Sequence, residues 1–151
     1  MVKRDFSGRF GFLVNEVGRL YGRLFDQLSR RDLGLSRAQC RLLGVVASYP
    51  EDRPPSQAEL AERLDLTPMG VASLCERMEA AGWILRQTCT DDRRINRIAL
   101  QPRAHEAIDA ALAIGDELQA RSLSGFSAAE RKQLVSLLRR AHANLSETGG
   151  P

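Results

Sequence analysis

Few side chains in this 151-residue sequence are equipped for bond-making chemistry. His105 and His142 are the only histidines, and Cys40, Cys75 and Cys89 the only cysteines. The spacing contains no HExxH pair, no glycine-rich phosphate loop and no nucleophile matched to a base, so an enzyme is not expected. An odd cysteine count without a CxxC pair supports neither a disulfide framework nor a zinc ribbon, and no metal or cofactor is expected. Cys40 and Cys75 fall on apolar helix faces and read as small buried hydrophobes. Cys89 stands apart, because nearby arginines favour its thiolate. A thiol-based redox sensor is therefore one alternative reading.

What remains is guanidinium chemistry. Of 22 basic residues only Lys3 and Lys132 are lysine, a bias that gene base composition explains more simply than selection for arginine's bidentate donors. Nineteen acidic residues leave a net charge of +3 and a pI near 9.0. That balance excludes a polybasic tail and an acidic solvating segment, and it permits nucleic-acid binding without demanding it. The longest apolar run, Ala110 to Ile114, is far short of the ~20 residues of a membrane span. The first residues, Met-Val-Lys-Arg-Asp-Phe, lack a signal core, so a cytoplasmic location is expected and no membrane partner.

Helical elements must position those arginines. Phe10, Leu13, Val14, Val17, Leu20, Tyr21, Leu24, Phe25 and Leu28 recur at three- and four-residue spacing and predict a helix from about Arg9 to Arg31, with Gly34 as its left-handed cap. Its stripe is too wide for a lone surface helix. Capping boxes at Ser36–Gln39, Ser56–Glu59 and Ser127–Glu130 predict three further helix starts, and Thr67-Pro68 reads as N-cap and N1 of another. After Gly82 the period becomes strand-like: Trp83–Thr88 and Ile95–Leu100, joined by the polar turn Cys89–Arg94. A long helix follows from Pro102 to Arg121, with a seam of Ala104, Ile108, Ala111, Leu112, Gly115 and Leu118. The last helix has its seam at Leu134, Leu138, Ala141 and Leu145.

Two short capped helices followed at once by a hairpin with an arginine-bearing turn make a winged helix-turn-helix. The N-terminus of its second helix offers free N–H groups and a positive dipole end to phosphate. The exposed face of that helix suits the major groove and the turn suits a neighbouring minor groove.

Over nearly its whole length the sequence resembles the MarR family of transcriptional regulators. The resemblance is carried by Ser56-Gln-Ala-Glu-Leu-Ala-Glu-Arg-Leu64, by Thr67 to Arg77, by Met78 to Arg86 and above all by the wing Asp91-Asp-Arg-Arg-Ile-Asn-Arg-Ile-Ala-Leu100. It departs from the family at Gln101, where threonine is usual, and at Ala104, where glycine is usual. The resemblance implies a mainly α (α+β) fold in which 1–151 forms one domain. Residues 1–35 and 102–146 would be dimerisation helices, 36–101 the DNA-binding lobe and 147–151 a frayed tail. It implies a homodimer that represses a pseudo-palindromic double-stranded DNA operator and is released by a small aromatic or phenolic effector, whose pocket residues are unknown. A winged-helix protein-interaction module is the other alternative, although such modules usually lose the wing arginines.

The candidate DNA-facing residues are Ser56, Gln57, Thr67, Pro68, Met69, Gly70, Ala72, Ser73, Arg77, Arg93, Arg94 and Arg97. The resemblance makes Arg94 the minor-groove arginine and Asp92 the brace of its turn. Arg93 and Arg97 read equally as phosphate contacts or as exposed charge, and Arg86 equally as an ion-pair or a DNA residue. The leading turns of the second helix carry small or apolar residues, which leaves few bidentate base readers and shifts specificity toward thymine methyls, DNA shape and the wing.

Overall fold

Side-chain capping sets most of the helix starts. Ser36, Ser56 and Ser127 accept hydrogen bonds from the N–H groups of Gln39, Glu59 and Glu130 at 3.2, 3.1 and 3.1 Å. The Gln39, Glu59 and Glu130 side chains reach back to the capping residues' own N–H groups at 2.8, 2.8 and 2.7 Å. All three expected capping boxes therefore form. The computed structural model describes residues 3–147. Its elements are α1 (Phe10–Leu33), α2 (Arg37–Ala47), α3 (Gln57–Leu64), α4 (Pro68–Ala80), β1 (Ile84–Thr88), β2 (Asn96–Leu100), α5 (Pro102–Ser122) and α6 (Ala128–Glu147). No helix among the described residues is long and apolar enough to cross a membrane. Of the expected frayed tail, Glu147 is the last residue of α6 and the rest lies outside the described residues.

The chain divides into two compact units, one ending at Asp116 and the other beginning at Glu117. In the first unit, Gly34 ends α1 at φ +67°, and the N–H groups of Gly34 and Leu35 return to Arg30 and Ser29 carbonyls at 3.1 and 3.4 Å. The core unites α2, α3, α4 and the sheet: Leu42, Leu43, Leu60, Val71, Cys75, Met78, Ile84 and Ile98 are essentially inaccessible. Asp65 links α3 to α4 in the left-handed region (φ 53°), which a short polar side chain tolerates, and Leu66 N–H donates to Ala61 O at 2.9 Å.

β1 and β2 form an antiparallel pair with Ile84 opposite Leu100 and Thr88 opposite Asn96. Both strands start one residue later than the periodicity predicts. Trp83 N–H is spent on Met78 O (3.0 Å) as α4 ends, and Ile95 N–H on Asp92 O (3.0 Å) inside the turn. One residue, Gln101, separates β2 from α5, and its N–H donates to Trp83 O at 2.9 Å. Arg103 stacks its guanidinium 3.8 Å from the Trp83 ring centroid and donates to Ala81 O at 2.8 Å. The buried stripe of α5 holds Ala104, Ala107, Ile114 and Leu118, whereas Leu112 faces outward. The stripe advances by alternating threes and fours from Ala104, and Leu112 falls off that line as part of the apolar surface that the protomer leaves open.

The second unit holds the end of α5 and α6. Arg131 donates to Leu123 O (3.0 Å) and Phe126 O (3.4 Å), tying the connecting turn to α6. No residue of α6 is buried within the protomer.

A half-buried ion pair joins α4 to β1: Glu79 accepts from Arg86 Nε at 2.7 Å and from Arg86 N–H at 3.0 Å. Those two bonds, the backbone one foremost, hold the Glu79 carboxyl below the ordinary glutamate range. A depressed carboxylate contributes stability that is complete above its unfolded value of about 4.3 and is lost as pH falls through the lower folded value. Glu79→Gln should therefore flatten the acid limb of thermal stability below about pH 4.3 while changing the dependence near neutrality little. Melting curves between neutral and strongly acidic pH check this.

Candidate nucleic-acid interface

The helix-turn-helix presents the start of α4 outward. Thr67 caps it, accepting from Gly70 N–H at 3.0 Å, and Pro68 occupies N1, where a missing N–H costs nothing. The buried residues Val71, Leu74, Cys75 and Met78 anchor one face of α4, which turns Met69, Ser73, Glu76 and Arg77 to solvent. Ala72 and Gly70 are half-buried between those faces. Arg77 bends back toward Ser73 O, at 3.4 Å from its Nε.

The wing stands beside α3. Asp92 Oδ1 accepts from Arg94 N–H at 2.9 Å, and Cys89 N–H donates to Ile95 O at 2.9 Å, so the turn is closed by its own backbone. Asp92 thus ties the backbone of its own turn. Arg94 projects from the tip with its side chain 93% exposed, its Nε 3.4 Å from the same Asp92 oxygen. Arg93 is exposed next to it.

Arg97 and Arg86 are placed differently. Arg97 donates from Nη1 to Pro54 O at 2.8 Å and lies 3.7 Å from Glu59. Ser56 and Arg97 form a β-bridge, and Ile98 N–H donates to Pro55 O at 2.8 Å. The segment before α3 is therefore stitched to β2, and Arg97 holds the wing to the N-terminus of α3. Arg86 is engaged by Glu79, as above. Ser56 and Gln57 head α3 within a depression of about 370 Å³ that also includes Arg94 and Asn96, and Gln57 Oε1 is buried there without a hydrogen-bond partner among the described residues.

Two contributors escaped the sequence reading. Glu59, seen only as a capping residue, also faces Arg53 and Arg97, each at 3.7 Å. Its carboxyl is held below the ordinary range chiefly by Ser56 N–H. Arg53 adds an exposed cation three residues before that cap, and its place in a polar loop gave no pattern to find it by.

Residues 33–95 match the model of the MarR family. The chain is thus similar to that family over this segment. The MarR fold extends over nearly all of it: a crystal structure of MarR aligns with a TM-score of 0.84 at 22% identity, covering 97% of each chain. The S. aureus MepR–DNA complex aligns with a TM-score of 0.75 at 21% identity, over 89% of this chain and 97% of that one. Bordetella bronchiseptica BpsR, in a structure concerned with regulation of its DNA binding by 6-hydroxynicotinic acid, aligns at 0.73 and 21% over 93% and 98%.

Thiol environments within the first unit differ sharply. Burial pushes Cys75 up to about 11 and raises Cys40, while N–H groups of Asp92 and Asp91 lower Cys89, which is only half-buried. A maleimide at neutral pH should therefore label Cys89 first, with Cys40 and Cys75 reacting only after denaturation. Peptide mass spectrometry of partly labelled protein checks that order.

Proposed function

We propose that the protein is a homodimeric repressor that binds a pseudo-palindromic operator through α4 and the wing and leaves it on binding a small aromatic acid or phenol. The carrying observation is the juxtaposition, on one lobe, of an outward-facing capped helix start with a braced, fully projecting Arg94. The helix start suits a major groove and its flanking phosphate, and the guanidinium suits a narrow minor groove alongside. Ser56, Gln57, Thr67 and Ser73 serve at the backbone or groove wall, with Arg77 and Arg93 as phosphate partners. Arg97 acts here through the wing it anchors. The DNA complex of MepR supports this reading.

The dimer is supported by apolar surface that a protomer leaves open. Phe10, Phe12, Leu13, Val14, Val17 and Leu20 on α1 are 45–61% exposed, and α6 leaves Leu137, Leu138 and Leu145 in the open. Residues 1–35 and 102–146 are thus proposed as dimerisation helices, and 36–101 as the reading lobe. An isologous two-fold places two α4 helices to read half-sites about 34–36 Å apart. The effector class is suggested by BpsR. The first unit offers a cleft of about 410 Å³ bordered by Val46, Tyr49, Pro54, Leu100 and His105, large enough for one aromatic ring with a polar substituent.

Selection of bound duplexes from a random pool tests the reading. Enrichment of an inverted repeat that outcompetes random duplex at physiological salt supports it; retention of no sequence over random duplex overturns it in favour of a protein-interaction module.

A further inference from the structure

We propose that the leading turn of α4 reads thymine methyl groups, with Met69 as the residue that sets base preference; this rests on the operator-binding reading above. The N-terminal residues of a recognition helix are the ones that meet base edges. Here the side chains at that end have almost no hydrogen-bonding capacity. Pro68 lacks an N–H, Met69 carries only a thioether, Gly70 has no side chain and Ala72 only a methyl. Thr67, the one polar side chain in the turn, spends an acceptor site on Gly70 N–H at 3.0 Å and keeps its O–H as the turn's one side-chain donor.

Met69 is 83% exposed, the most open of the large apolar side chains among the described residues. Nothing in the protomer explains an apolar side chain held so far into water beside a polar cap. Major-groove edges of guanine, cytosine and adenine present donors and acceptors that a thioether leaves unanswered, whereas thymine alone adds a methyl group. Burying that methyl against a flexible, polarizable side chain is the contact this turn can make. The polar side chains of the same face, Ser73, Glu76 and Arg77, begin a full turn later, so they meet other base pairs or the backbone.

Deoxyuridine supplies the test, because it removes the C5 methyl and leaves every minor-groove acceptor in place. A duplex selected from the random pool is remade with each thymine replaced in turn by deoxyuridine, and binding is followed by fluorescence anisotropy. One thymine per half-site should show about fourfold weaker binding, the worth of one buried methyl, and about 15-fold when both half-sites are changed. Met69→Ala, a surface change that leaves the core intact, should bind thymine and deoxyuridine duplexes equally. Equal binding by the parent protein at every thymine overturns the inference while specific binding stands, and so does discrimination that survives in Met69→Ala. Absence of any sequence-specific binding instead overturns the operator reading and this inference with it.

Discussion

Arg94→Ala is expected to weaken operator binding by about 1–3 kcal/mol, the usual worth of one base-reading contact. The arginine is free to act because it does no structural work. Its side chain is 93% exposed, and the turn beneath it is closed by the Arg94 N–H to Asp92 contact, which alanine retains. An exposed ion pair at 3.4 Å adds little to fold stability. Melting temperature and oligomeric mass should accordingly match the parent. The loss should be largest where A·T-rich sequence narrows the minor groove, since that geometry concentrates negative potential. Arg94→Lys should recover only part of it, a hydrated ammonium fitting the groove less well than a planar guanidinium. A salt titration separates this from a neighbouring effect. Removing a charge at the DNA surface lowers the salt slope, whereas Arg97→Ala should act through a displaced wing with the slope less changed. If Arg94→Ala binds like the parent across the titration, the wing is not a reading element.

Val17→Asp should convert the protein to a monomer. In the protomer Val17 is 61% exposed on α1, so an aspartate there is hydrated and costs the isolated chain little. In a two-fold interface the same change enters twice, and each ion loses its water at a cost on the order of several kcal/mol. The dimer dissociation constant should rise by at least about 100-fold, near 3 kcal/mol. Light scattering at micromolar concentration should then report 16.7 kDa for the variant and twice that for the parent. Operator affinity should fall with it, because two half-sites are no longer held by one particle. A parent that scatters as a monomer, or a variant that stays dimeric, removes α1 from the interface.

Local chemistry made much of this architecture legible. Ser36, Ser56, Ser127 and Thr67 announce helix starts because a cap and its partner lie within three residues, and Gly34 announces an end because its conformation is its own. The wing was readable for the same reason: Asp92 and Arg94 interact across two residues. Arg97 was not readable, because its partner carbonyl at Pro54 is 43 residues away and nothing in its neighbours marks the pairing. Leucine's hydrophobicity at Leu112 says that it prefers burial, but not whether the protomer itself supplies it. The exposed stripe of α1 was legible as apolar surface, while the surface that covers it is a matter of association and not of local pattern.

The joint between β2 and α5 has a mechanical consequence. With Gln101 as the sole intervening residue, and with Arg103 clamped on Trp83 and on the end of α4, the junction leaves little spare chain between the sheet and the helix. α5 is 21 residues long, about 30 Å at 1.5 Å per residue, and these contacts fasten its first turn to the end of α4 and to the residue before β1.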